Sequence, residues 1–230
     1  EIGSFSAEDR TNVAIDEISE PMQQAAIAAE DQSFYENRGI SFKGLSRAVW
    51  GVATDDYAGG GSTITQQYVK NFYLTNERSL DRKVKEMFIA LKIDQELSKD
   101  EILANYLNTI FLGRQSYGIE VAANNYFDKP ASELDVAESA LMAAMIQRPG
   151  AADPAENPEE YEDRFRYVLR SMEKLGYITE DEVASTEMPE VHKKPEDNQY
   201  AGQNGYLLST VLQELKSVGF TEDQINRGGY

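Results

Sequence analysis

A mostly α-helical fold is predicted by three features of this 230-residue chain. Apolar residues recur at three- and four-residue spacing along most of it. Strictly alternating runs are scarce, and several periodic segments open on a capping signal or close on a glycine. A chain of this length can bury a sizeable core and needs no more than one main domain with an appendage.

Met22, Ala25, Ala26 and Ala29 share one face of an Ala-rich helix that ends near the Glu30-Asp31 pair. Gly59-Gly60-Gly61 then lead into a short polar helix that Ser62 or Thr63 can cap, with Gln66 and Lys70 on one face at i, i+4 spacing. From Leu80 to Leu97 an apolar stripe is formed by Leu80, Val84, Met87, Phe88 and Leu91. Ser132 is placed to cap a buried helix rich in Leu134, Ala137, Leu141, Ala144 and Met145. Asn157-Pro158-Glu159-Glu160 is a strong helix start, with Tyr161, Phe165, Val168, Leu169, Met172 and Leu175 inward and Gly176 as the stop. Thr179 and Glu182 make a capping box for the next helix. Beyond Ala184, Pro189, Pro195 and the run Glu196-Asp197-Asn198-Gln199 read as a linker before a final helix from about Gly205 to Val218.

Forty acidic against 22 basic side chains give a net charge of -18, which disfavours a nucleic-acid partner because phosphate backbones would be repelled. The sign reverses locally. Between Gln67 and Lys92 the cations Lys70, Arg78, Arg82, Lys83, Lys85 and Lys92 outnumber Glu77, Asp81 and Glu86, so an anionic ligand is best received there. Asp153, Glu156, Glu159, Glu160, Glu162 and Asp163 read instead as a solvated acidic surface with helix-start carboxylates. Cysteine is absent, which excludes disulfides, thiolate metal sites and cysteine nucleophiles. No run of apolar residues is long enough to span a bilayer. The glycine run opening onto a helix has the form of an anion-binding turn, since the free N–H groups and dipole of a helix start suit phosphate oxygens.

That turn stands among other motifs. Ala28-Ala29-Glu30-Asp31-Gln32-Ser33-Phe34-Tyr35-Glu36-Asn37-Arg38-Gly39 precedes it. Arg82-Lys83-Val84-Lys85-Glu86 and Ile102-Leu103-Ala104-Asn105-Tyr106-Leu107-Asn108 follow, then Gly113, Ala137-Glu138-Ser139-Ala140-Leu141, Gln147-Arg148-Pro149 and a segment from Val168 to Thr179. In order and spacing these resemble the peptidoglycan glycosyltransferases, the family 51 transglycosylases found alone or as the first domain of class A penicillin-binding proteins. The likeness runs over roughly residues 20 to 185.

The resemblance implies a lysozyme-like α-helical glycosyltransferase domain over residues 1–188 with a small membrane-proximal lobe. Residues 189–230 would then be a linker and terminal helix leading toward a transpeptidase domain. It implies a membrane anchor before the first motif, and a place at the outer face of the bacterial cytoplasmic membrane. The implied substrates are lipid II and lipid-linked glycan. Joining two sugars from a lipid pyrophosphate donor needs a base for the acceptor hydroxyl and cations for the leaving group. Glu30, at the end of an apolar helix, is the candidate base, because partial burial raises a carboxylate's proton affinity provided Asp31 turns away. Lys83 and Arg82 would contact the pyrophosphate, Arg78 and Lys70 add positive charge, and Glu86 orients these cations. As a plain helix-surface partner of Arg82 and Lys83, Glu86 would contribute only about 0.2–0.5 kcal/mol per pair. Ser62, Thr63 and Gln67 would hold phosphate and sugar groups, and Asn108 would support the cleft wall. Phe42, Leu45, Val49 and Trp50 would touch the bilayer, an interfacial and not a spanning contact.

No cofactor and no metal-ligand spacing is evident, although the pyrophosphate could recruit a divalent cation such as magnesium. The family often has His where Asn37 stands, Asp where Ser41 stands and Glu where Ala104 stands. Ser171-Met172-Glu173-Lys174 has the spacing of penicillin-reactive serines but lies on an amphipathic helix, and no Lys-Thr-Gly segment accompanies it. His192, the only histidine, stands in the linker, so no triad is built around it. Two rival readings stay open, a muramidase-like hydrolase and a non-catalytic lipid-pyrophosphate-binding module. The cationic segment argues against the first and the two carboxylates against the second.

Overall fold

In the computed structural model the described residues are 9–40, 62–73, 80–149, 153–193, Glu214, Leu215 and Gly219. Among them the chain is mostly helical. The order is a two-residue strand β1 (Asp9–Arg10), a 3-10 turn at Ile15–Glu17, then α1 (Glu20–Glu30), α2 (Ile64–Tyr73), α3 (Leu80–Glu96) and α4 (Lys99–Thr109). Strand β2 (Ser116–Tyr117), α5 (Ile119–Phe127), a 3-10 turn at Ala131–Glu133, α6 (Val136–Ile146), α7 (Glu159–Lys174) and α8 (Glu180–Ser185) follow. The small lobe expected between the first two motifs lies outside the described residues, as does most of the expected terminal helix.

The main core is the mutual packing of α1, α6 and α7. Ser19 caps α1 by accepting from the Met22 N–H (3.3 Å), and Pro21 occupies the first turn, where its missing N–H costs nothing. The helix buries Met22, Ala25, Ala26, Ile27, Ala28 and Ala29. Its alanines present little bulk, so neighbouring axes can approach closely. Helix α6 is buried from Glu138 through Met145, which is why its sequence is apolar all round. Helix α7 is amphipathic and turns Tyr161, Phe165, Val168, Leu169 and Met172 inward, as the periodicity predicts. It stops at Gly176 (φ +76°), where the Tyr177 N–H returns to the Met172 carbonyl at 3.0 Å. Ser171 is buried within this helix.

A second group forms around α2, which packs on both α3 and α4. Ser98 and Glu101 close a capping box on α4, which buries Ile102, Leu103, Tyr106 and Leu107. After α4 the chain turns through Gly113, Arg114 and Gln115, all with positive φ (82°, 46° and 60°). Left-handed conformations at non-glycine residues persist where surroundings over-determine them. Here Arg114 donates to both Asp153 oxygens (2.7 and 2.6 Å) and to the Asn125 carbonyl (2.7 Å), and lies over the Tyr126 ring at 4.2 Å. The outgoing chain pairs β2 with β1 in parallel, Asp9 opposite Ser116 and Arg10 opposite Tyr117.

Two local expectations are corrected. Asp135, not Ser132, caps α6: its carboxylate accepts from the Glu138 N–H at 2.9 Å, and Glu138 returns a bond to the Asp135 N–H at 3.0 Å. Ser132 lies in the preceding 3-10 turn. On α3 the stripe does not face inward, since Val84 and Phe88 are exposed while Glu86, Ala90 and Ile93 are buried. The buried face of the helix includes a carboxylate, which hydrophobic periodicity does not anticipate. The Thr179–Glu182 capping box on α8 is present as expected. Met188 and Val191, around the expected linker start, pack against the core.

Candidate active site

Helix α1 delivers two adjacent carboxylates to different surroundings. Asp31 is the C-cap of the helix and turns into the following loop. There it accepts from Ser33 Oγ (3.1 Å), from Asn37 Nδ2 (3.1 and 2.8 Å) and from the Ile64 N–H (3.3 Å), the first amide of α2. Asn37 Oδ1 accepts in turn from the Gly39 N–H at 3.0 Å and from Lys99 at 3.4 Å. Burial raises the Asp31 carboxyl above its ordinary range, and the bonds from Asn37, Ile64 and Ser33 oppose that rise.

Glu30 points the other way, its side chain only 12% exposed. Its Oε2 accepts from Gln67 Nε2 at 2.8 Å, and its Oε1 from Arg164 Nη2 at 3.2 Å. Burial pushes its proton affinity above the usual carboxylate range. Gln67 and Arg164 pull it down, and the neighbouring Asp31 charge adds a smaller upward push. Gln67 is itself fixed, because its Oε1 accepts from the fully buried Tyr106 hydroxyl at 3.2 Å. Burial, and then the Glu30 charge, hold that phenol protonated far above its ordinary range. A carboxylate only accepts, so the Gln67 amide must turn its NH2 toward Glu30 and its oxygen toward Tyr106.

Helix α2 is the shared support. Its start is a reciprocal box: Thr63 Oγ1 accepts from the Gln66 N–H and Gln66 Oε1 from the Thr63 N–H, both at 3.1 Å. The Thr63 hydroxyl also donates to the Gly39 carbonyl at 2.7 Å. Gly39 has φ +79°, and a Cβ there would stand 2.6 Å from the Ala90 carbonyl of α3, so the loop after α1 touches α3 backbone to backbone. One residue before Thr63, Ser62 Oγ accepts from Lys83 Nζ at 2.9 Å. Lys83 also pairs with Glu86, the ammonium 42% exposed and the carboxylate 1% exposed, so a buried anion holds an accessible cation. Ser62 and Gln67 lie one to two helical turns apart, roughly 5–10 Å along the axis. Glu30 is therefore bonded to the first turn of α2 and Lys83 to the segment that leads into it.

The remaining expected residues divide. Lys70 is exposed on α2 one turn beyond Gln67. Asn108 is buried and clamps the Val13 backbone, accepting at 3.0 Å and donating at 2.8 Å, so it ties the N-terminal segment to α4. Arg78, the Arg82 side chain, Phe42, Leu45, Val49 and Trp50 lie outside the described residues. Arg164 and Tyr106 are partners of the site that sequence reasoning missed. Arg164 did leave a signal: it stands three residues after Tyr161 and four before Val168, a cation on the inward stripe of α7. Among the described residues no group of three or more acidic or histidine side chains is arranged to hold a metal ion.

Residues 1–173 match the family described as Transglycosylase. The chain belongs to this family. Among the relatives of this transglycosylase, penicillin-binding protein 1A of Mycolicibacterium smegmatis (strain ATCC 700084 / mc(2)155) is 43% identical over 96% of the chain and 29% of its own length. Penicillin-binding protein 1A of Neisseria flavescens is 42% identical over 99% of the chain and 28% of its own length. Penicillin-binding protein 2a of Streptococcus pneumoniae serotype 2 (strain D39 / NCTC 7466) is 36% identical over the whole chain and 32% of its own length. The transglycosylase thus spans less than a third of these relatives. The crystal structure of penicillin-binding protein 1A from Haemophilus influenzae shares its fold, with a TM-score of 0.54 and 22% identity over 95% of this chain and 23% of that one.

Proposed function

We propose that the chain is a peptidoglycan glycosyltransferase that polymerises lipid II into β-1,4-linked glycan at the outer face of the cytoplasmic membrane, with Glu30 as general base. One observation carries this reading: a buried carboxylate of raised proton affinity is bonded to the first turn of α2, and an accessible ammonium to Ser62 just ahead of that turn. Each Glu30 oxygen spends one acceptor site on Gln67 or Arg164 and keeps another for an acceptor hydroxyl. As Glu30 takes the proton from the 4-hydroxyl of the acceptor sugar, that oxygen attacks the anomeric carbon of the donor. The bond to pyrophosphate breaks, its electron pair leaves with the phosphate, and an α linkage becomes β in one displacement. Lys83, held by Glu86 and Ser62, receives the developing phosphate charge. Because a phosphate leaving group accepts that charge, Glu86 need not give a proton. Its burial beneath Lys83 suits orientation.

Incubation of the chain with purified lipid II in detergent, followed by product separation, is expected to give polymer. Cleaved glycan would move the assignment to a hydrolase, and unchanged lipid II to a binding module. Glu30→Gln should lower turnover by about 10²–10⁴ with the fold intact, the range for loss of a general base. Normal polymerisation by that variant would remove Glu30 from the role. Lys83→Ala should weaken inhibition by the phosphoglycolipid donor mimic moenomycin.

A further inference from the structure

We propose that Arg164 is a positioning residue for the base, a cation reaching from α7 across the end of α1 to hold the Glu30 carboxylate ionised and aimed. The proposal rests on Glu30 being the base. Arg164 Nη2 donates at once to Glu30 Oε1 (3.2 Å) and to the Ala29 carbonyl (3.0 Å), an acceptor that the end of α1 leaves without an intrahelical donor. A cation at a helix C-terminus also meets the negative end of the dipole, so charge and hydrogen bonding draw the guanidinium to one point. The Tyr167 ring, 4.5 Å from the guanidinium carbon, supports it from below. Its Nε is buried and finds no hydrogen-bond partner among the described residues. A side chain that leaves one donor unsatisfied to place another on Glu30 is not arranged for stability alone.

Arg164 is the only charge that opposes burial at Glu30 among the described groups facing it. Asp31, on the same helix end, pushes the other way. Gln67 from α2 and Tyr106 from α4 are neutral. Lys70 of α2 is exposed. Helix α6, the other helix packed on α1, carries only Glu138, which pairs with Lys129. Removing the guanidinium should therefore shift the base toward its protonated form, and the acid limb of the activity profile should move to higher pH.

Two readouts test this. Carbon-13 NMR titration of the Glu30 carboxyl should show its midpoint rise by about one pH unit or more in Arg164→Gln, and return most of the way in Arg164→Lys. The pH profile of lipid II polymerisation should show the same displacement. Below the acid limb the rate should fall about tenfold through kcat, with KM unchanged. In a Glu30→Gln background Arg164→Gln should cost nothing further. An unmoved midpoint in Arg164→Gln, or a raised KM with an unmoved acid limb, would overturn the proposal. If the Gln variant does not fold, Arg164→Met supplies the same comparison. Should Glu30→Gln stay active, the base assignment fails, while the NMR titration still reports separately on what Arg164 does to the carboxyl.

Discussion

At the scale of single residues, Glu30 and Asp31 share a sign of linkage that is unusual for carboxylates. Burial raises both above their unfolded values, so each favours the folded state fully below its unfolded pKa and loses that contribution as pH rises through its folded pKa. At neutral pH an ionised Glu30 therefore costs the fold stability. Glu30→Gln, which mimics the protonated acid, should therefore melt no lower than the parent at pH 7, and higher by about 2–4 °C for each kcal/mol relieved. The difference should close as pH falls toward the ordinary glutamate value of 4.5. Differential scanning calorimetry across that window measures it, and a variant that melts lower at pH 7 would contradict the sign. Glu30 was legible in the sequence because it ends an Ala-rich helix beside recognisable motifs. Arg164 was not, because its contact spans 134 residues and periodicity alone marks it only as a cation on an inward stripe.

At the scale of elements, the start of α2 matters most, because Gln67 and Ser62 hang from it. Thr63 caps it, Gln66 closes the box, and Asp31 accepts from its first amide. Thr63→Ala should cost about 0.5–2 kcal/mol of stability, read from urea unfolding, and lower polymerisation because the supports of Glu30 and Lys83 loosen together. Thr63→Ser, which keeps the hydroxyl, should recover most of both. The capping residue was legible here, one of two adjacent candidates. At α6 the same reasoning named Ser132, whereas the cap is Asp135, which Glu138 completes as a reciprocal box. On α3, reading the stripe by hydrophobicity could not anticipate that Glu86 would be buried while Phe88 is exposed.

Across the whole molecule, the α1–α6–α7 core carries Glu30 and the α2–α3–α4 group carries Lys83. The helical class was legible because it follows from summed periodicity. The juxtaposition of the two groups was implied only by the family resemblance, since it depends on side chains that meet only after the helices have packed. Net charge acts at this scale too. At -18 the folded chain repels itself, so raising ionic strength from about 0.01 to 0.15 M, which shortens the screening length from ~30 to ~8 Å, should raise the thermal midpoint. A midpoint that falls with salt would mean that local ion pairs such as Arg114–Asp153 outweigh the global repulsion.

The bare backbone at Gly39 sets a gauge between these two halves. Its carbonyl is pinned by Thr63, and the Ala90 carbonyl leaves no room for a methyl group on it, so the loop after α1 can settle on α3 at only one depth. The spacing between Glu30 and the Ser62–Lys83 pair is thus calibrated by an atom the chain does not possess, and any larger residue there would act as a shim.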